Sequence, residues 1–223
     1  EKSSTDRIGA EPIHAESAED LDGMIVNIEI LEFPTSGDDG VGRVTEILGR
    51  PGDFGLDVEV TIRKHHLPHQ FPPAVLAEAR SIPTQIPEQA LQNRKDWRAL
   101  PIVTIDGETA RDFDDAVFVD HLPNGRWRLD VHIADVSHYV TPSTAIDQEA
   151  LFRGTSVYFP DRAVPMLPHE LSTNICSLRP NEDRLVLSAE LEIDHAGDVV
   201  SQSFSRGVIR SAAYAPWLYR RVI

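Results

Sequence analysis

The chain has 223 residues, of which 41% are hydrophobic, 26% charged and 7% aromatic, enough for one large domain or two small ones and too apolar for general disorder. Its formal net charge of −15 excludes a broad basic face for long-range capture of nucleic acid but leaves room for a narrow local site. A single cysteine, Cys176, excludes an intramolecular disulfide and a zinc ribbon, fits a reducing compartment, and makes a cytoplasmic location the expectation.

No run reaches the roughly 18 apolar residues of a membrane helix, and the opening "EKSSTDRIGAEPIHAESAED" is neither a signal peptide nor an anchor. Neither a membrane nor DNA is an expected partner. Residues 1–20 are polar and unpatterned and read as a flexible lead-in; with no initiating Met, the chain is expected to be a piece of a longer protein.

From Gly23 the texture changes to short β-type runs, "MIVNIEIL" (24–31), "GRVTEIL" (42–48) and "DVEVTIR" (57–63), separated by Gly/Asp/Pro clusters. Three strands are too few to close a barrel, so residues 21–66 are expected to be part of a small one. Residues 67–96 read as a linker with short helices: "PPAVLAEARSI" accepts Pro72 and Pro73 in its first turn. A second short helix is expected over 87–95, within a stretch marked by Pro83, Pro87 and Pro101.

Beyond this, "AVFVD" (116–120) and "RWRLDVHIADV" (126–136) flank Asn124-Gly125, a hairpin signal. In the second run Trp127, Leu129, Val131 and Ile133 alternate with Arg126, Arg128, Asp130 and His132, which predicts a buried apolar face and a polar outer one. "PSTAIDQEALFRG" (142–154) predicts a helix capped by Ser143 or Thr144 and stopped at Gly154. The spacing of "RLVLSAELEID" and "DVVSQSFSRGVIR" around "HAG" predicts a last hairpin. The fold class expected is α+β.

The chemistry concentrates in "TIDGETARDFDD", where Asp106, Asp112, Asp114 and Asp115 lie within ten residues. Like charges so crowded repel unless protons or cations neutralise them. Asp106 closes the apolar run "PIVTI" and the other three open the next, so a reversal at Gly107 would bring all four to one end of a sheet. An all-carboxylate set suits Mg²⁺ or Mn²⁺, and a pair of such ions suits in-line phosphoryl displacement. A solvated acidic turn fits the same residues. An EF-hand does not, since no glycine follows the adjacent Asp114 and Asp115, and a nucleophilic aspartate would need later Ser/Thr and Lys partners that cannot be placed.

The blocks "TIDGETARDFDDAVFV", "LDVHIADVSHYV", "DQEALFRGTSVYFPDRAVPMLP" and "LSTNICSLRPNEDRLVLS" closely resemble the RNB catalytic domain of the ribonuclease II/ribonuclease R family of processive 3′-to-5′ exoribonucleases. "GRVTEILG" and "TIRKHHLP" resemble the end of the second cold-shock, OB-type domain that precedes it. The resemblance implies a partial OB-type β-barrel at 21–66, followed at 97–213 by the N-terminal portion of a mixed α/β RNB domain. It further implies that Asp106, Asp112, Asp114 and Asp115 bind Mg²⁺ and organise hydrolysis, Asp114 most directly, and that Tyr158 packs near the 3′ nucleotide of single-stranded RNA. Stacking on an aromatic suits that ligand, because every base offers a π face.

Other candidates are weaker. Asn174, Ser177 and Arg179 can donate to phosphate or serve a hydrogen-bonded loop; Arg111 can offset the carboxylates; "RKHH" at 63–66 reads as a solvated strand end, and Cys176 as a buried thiol. The family's catalytic domain continues with an arginine and a glutamate near the scissile phosphate, and residues 214–223 depart from its Arg-Leu-Thr-Tyr-type block. Two functions are therefore expected: an Mg²⁺-dependent exoribonuclease releasing 5′ mononucleotides from a truncated chain, or a catalytically incompetent metal- or RNA-binding fragment.

Overall fold

The computed structural model describes residues 21–108 and 110–215. These form two compact units: one holds the described residues up to Gln70 with Thr155–Pro165, the other Phe71–Gly154 and the described residues from Met166 onward. The lead-in and most of the 214–223 tail lie outside the described residues. No described helix is long and apolar enough to cross a membrane.

In the first unit, β1 (Ile25–Glu32) and β2 (Val41–Gly49) form an antiparallel hairpin. The third expected strand is instead a helix, α1 (Leu56–Lys64). The alternation of "DVEVTIR" imitates a strand, yet Val58 and Ile62 stand four apart and are buried together, the spacing of one helix face. Asp57 and Glu59 in the first turn and Arg63 and Lys64 in the last complement the helix dipole, and Glu59 pairs with Arg63 along the helix. The "RKHH" run thus ends a helix, with Arg63 also tied to Glu46. Val164, on β8 (Ala163–Val164), joins Val58 and Ile62 in a small core, with β7 (Val157–Tyr158) as its hairpin partner.

The second unit is an α+β fold built on a seven-stranded sheet. It comprises β3 (Lys95–Asp96), β4 (Val103–Thr104), β5 (Asp115–His121), β6 (Trp127–Ala134), β9 (Asp183–Ile193), β10 (Val199–Arg210) and β11 (Ala213–Tyr214). The order is β11-β4-β5-β6-β9-β10-β3, with only the outermost strands parallel to their neighbours. Helices α2 (Pro73–Ser81) and α3 (Ala145–Arg153) contribute Val75, Ala79 and Ile146 to a core shared with Ile102, Leu171, Leu178, Val186 and Ile209. Helix α3 has the expected ends: the Thr144 hydroxyl accepts from the Asp147 amide, and Gly154 follows at φ 74°. The expected helix over 87–95 contracts to a single 3₁₀ turn, Glu88–Leu91.

Both expected hairpins form, but through three-residue loops. Leu122 accepts from Gly125 N and Asp194 from Gly197 N, and the two glycines sit at φ 83° and 90°. Glycine in the left-handed region at the last loop position is the common form of a three-residue hairpin loop, and Pro123 suits its first corner.

The face of β6 is reversed from expectation. Asp130 and His132 are fully buried, whereas Trp127 and Ile133 are 45% and 46% exposed. The period of two holds; what differs is which side meets the core. The buried polar side is satisfied only in part: Arg128 donates to both Asp130 oxygens at 2.8 and 2.6 Å, and His132 Nδ1 lies 2.7 Å from Ser188 Oγ, while His132 Nε2 is buried without a hydrogen-bond partner. Trp97 fills the remaining space, its ring 5.1 Å from that of His132. Gly207 opens room for it, since a Cβ there would lie 2.0 Å from the indole.

Candidate functional site

Strand β4 pairs antiparallel with β5 at Val103 and Val117, so the connecting loop gathers Asp106, Asp112 and Asp114 beside Asp115, the first residue of β5, at one end of the sheet. The reversal expected near Gly107 is present, closed by a hydrogen bond from Ala110 N to Gly107 O. Phe113 turns into the core, while Asp112 is half-buried and Asp114 and Asp115 are exposed.

Backbone contacts from distant segments fix this loop. Phe113 N donates to Ser177 Oγ at 3.1 Å, Ser177 Oγ donates to Arg111 O at 2.9 Å, and Leu178 N donates to Phe113 O at 2.7 Å. Ala134 N donates to Asp114 O at 2.9 Å. On the other arm, the Tyr214 hydroxyl donates to Asp106 O at 3.1 Å and also reaches Gly107 O.

The electrostatics record the crowding. Burial, and then the charges of Asp115, Asp114 and Asp112, raise the pKa of Asp106; burial and Asp114 raise that of Asp115. Asp106 Oδ2 is buried with no hydrogen-bond partner. An orphaned carboxylate oxygen among mutually repelling carboxylates is a donor set that fits a hard divalent cation. As they stand, however, no three His, Cys, Asp or Glu groups among the described residues are gathered closely enough to hold a metal ion. The donor chemistry fits; the ligand cage is open.

The remaining candidates separate clearly. Tyr158, on β7, belongs to the other unit and is 69% exposed. Arg111 directs Nη1 to the Ala110 carbonyl at 2.9 Å. Ser177 is fully buried and serves the loop, accepting nothing from solvent; its amide donates to Asn174 O, and Arg179 faces Glu182 at 3.7 Å. Cys176 is buried, and burial pushes its thiol up to about 12, which makes it inert. The reading of Ser177 as part of a hydrogen-bonded loop holds, but its partners beside Asp112 and the role of Tyr214 toward Asp106 were missed by sequence reasoning. Ser177 lies 64 positions from Phe113 and Tyr214 lies 108 from Asp106, separations at which no local pattern carries a signal.

Two family models match the chain. The family model of the RNB domain matches residues 94–216, and that of a cold shock domain matches residues 11–72. Ribonuclease R of Acidithiobacillus ferrooxidans is 46% identical over 203 residues, 91% of this chain and 44% of that protein. Ribonuclease R of Thermotoga maritima is 48% identical over 199 residues, 86% of this chain and 28% of that protein. The chain thus spans less than half the length of these curated relatives. Among solved structures, Mycoplasma genitalium RNase R in complex with double-stranded RNA superposes with a TM-score of 0.81 at 28% identity, over 89% of this chain and 35% of that one.

Proposed function

The chain belongs to the RNB domain family, and on that premise we propose that it carries the acidic centre of an exoribonuclease that hydrolyses single-stranded RNA from the 3′ end to 5′ mononucleotides in the cytoplasm. The observation that carries this reading is the convergence of Asp106, Asp112, Asp114 and Asp115 at one end of the sheet, with Asp106 Oδ2 buried and unpartnered.

These four residues would hold Mg²⁺ or Mn²⁺. When bound, the cation supplies Lewis-acid stabilisation of charge on the phosphate and the leaving oxygen. The chain's own contribution is to keep four negative charges on a loop whose backbone is tied to the core on both arms. Asp106 Oδ2 is the atom at which a proton or a cation relieves the repulsion. Tyr158 supplies an exposed ring for a terminal base, worth roughly 1–3 kcal/mol by stacking. Relatives support RNA as the ligand, since Mycoplasma genitalium RNase R is solved in complex with it.

A second reading is a metal- or RNA-binding chain without hydrolytic activity. The open arrangement of the carboxylates favours it. Degradation of 3′-labelled single-stranded RNA with and without Mg²⁺, by the chain and by Asp114→Asn, separates the two. Metal-dependent release of mononucleotides by the chain, lost in the variant, is the expected result; RNA binding with no release in either would favour the second reading.

A further inference from the structure

We infer that Ser177 and Tyr214 are positioning residues for the acidic site, their hydroxyls setting the separation of its two arms. The inference rests on the reading of Asp106, Asp112, Asp114 and Asp115 as a cation-holding set. One arm is Asp106-Gly107, leaving β4; the other is Arg111 to Asp115, entering β5. In both cases the backbone is held by a hydroxyl from a remote part of the sequence.

Ser177 has the geometry of a splint. It accepts from Phe113 N and donates to Arg111 O, the two peptide groups that bracket Asp112. It is fully buried, so solvent cannot substitute for either bond, and losing them would leave a buried donor and acceptor unpaired. Leu178 N adds a bond to Phe113 O at 2.7 Å, making this a two-residue clamp on the centre of the acidic loop.

Tyr214 links the arms. Its hydroxyl donates to the carbonyls of Asp106 and Gly107, and its ring lies 5.0 Å from that of Phe113. Phe113 is thus the shared pivot: Ser177 holds its amide, Leu178 its carbonyl and Tyr214 its ring. Because β11 runs parallel to β4 in register, with Tyr214 beside Thr104, the tyrosine is placed by the same strand that delivers Asp106. Residues behind a metal site that orient its ligands typically change affinity about 10- to 100-fold when removed.

The test compares Ser177→Ala and Tyr214→Phe with Ser188→Ala, which also removes a buried hydroxyl but one bonded to His132. Tyr214→Phe keeps the ring on Phe113, and so isolates the hydroxyl. Mg²⁺ and Mn²⁺ binding is measured by calorimetric titration, and amide hydrogen exchange at Asp112, Asp114 and Asp115 is measured without metal. The expected result is cation affinity about 10- to 100-fold weaker in Ser177→Ala and reduced in Tyr214→Phe, unchanged in Ser188→Ala, with faster exchange at the three aspartate amides in Ser177→Ala. Equal affinity in all the chains, or an equal loss in Ser188→Ala, overturns the inference. If the unmodified chain binds neither cation, the reading of the site fails, and exchange alone decides the bracing: unchanged exchange at the aspartates in Ser177→Ala would overturn that too.

Discussion

At the scale of single residues, burial without neutralisation leaves a pH signature. His132 is completely buried, and burial lowers its pKa from 6.5 to about 4. A histidine depressed on folding contributes stability that is present above its unfolded value and lost as the pH falls toward the folded one. Between pH 6.5 and about pH 5 this loss amounts to about 2 kcal/mol. Urea midpoints should therefore fall over that interval, and fall less in His132→Asn; equal slopes would dissociate the effect from this ring. Asp106 has the opposite sign. Its raised pKa means stability present below 3.8 and lost as the pH rises and the carboxylate ionises among Asp115, Asp114 and Asp112. Without metal, Asp106→Asn should melt higher than the unmodified chain near pH 7 and no higher below its ordinary value. Mg²⁺ should raise the melting temperature of the unmodified chain more than that of the variant.

At the scale of elements, what was legible in the sequence was local. Thr144 and Gly154 announce α3 because caps act within a few residues, and Gly125 and Gly197 announce hairpins because only the loop itself demands positive φ. The acidic motif was legible for the same reason, since its four aspartates lie within one connection. Tertiary satisfaction was not legible. Arg128 stands only two residues from Asp130, but nothing local says that Ser188 and Trp97 will meet His132 and make this face the inner one, and nothing near Asp112 points to Ser177. The helix over "DVEVTIR" had signals that alternation outweighed, namely the Glu59–Arg63 pair and the charges placed for the dipole. Two substitutions test these assignments. Ile62→Ala, at a site 2% exposed, should destabilise the first unit by about 2–5 kcal/mol, read as a lowered midpoint with exchange in β9 and β10 unchanged. Gly207→Ala drives a Cβ into Trp97 and should cost the second unit about 1–3 kcal/mol or more. A neutral outcome in urea melts would contradict the close approach.

At the scale of the whole molecule, the net charge and the outer face of the sheet act against each other. The side of β6, β9 and β10 turned away from the core carries Ile133, Leu187 and Phe204, exposed by 46%, 41% and 72%. Val131 and Ala189 line the groove between them. An apolar face of this kind favours association, while a net charge of −15 makes copies of the chain repel at low ionic strength. The repulsion is screened as the Debye length shortens from about 10 Å at 0.1 M salt to about 3 Å at 1 M, whereas hydrophobic contact is not. Self-association should therefore grow with NaCl, measured by light scattering at fixed protein concentration. Phe204→Ser should suppress that growth while changing stability by no more than about 0.5 kcal/mol, because a side chain this exposed has little packing to lose. Scattering that stayed flat with salt, or rose equally in the variant, would show that this face does not drive association.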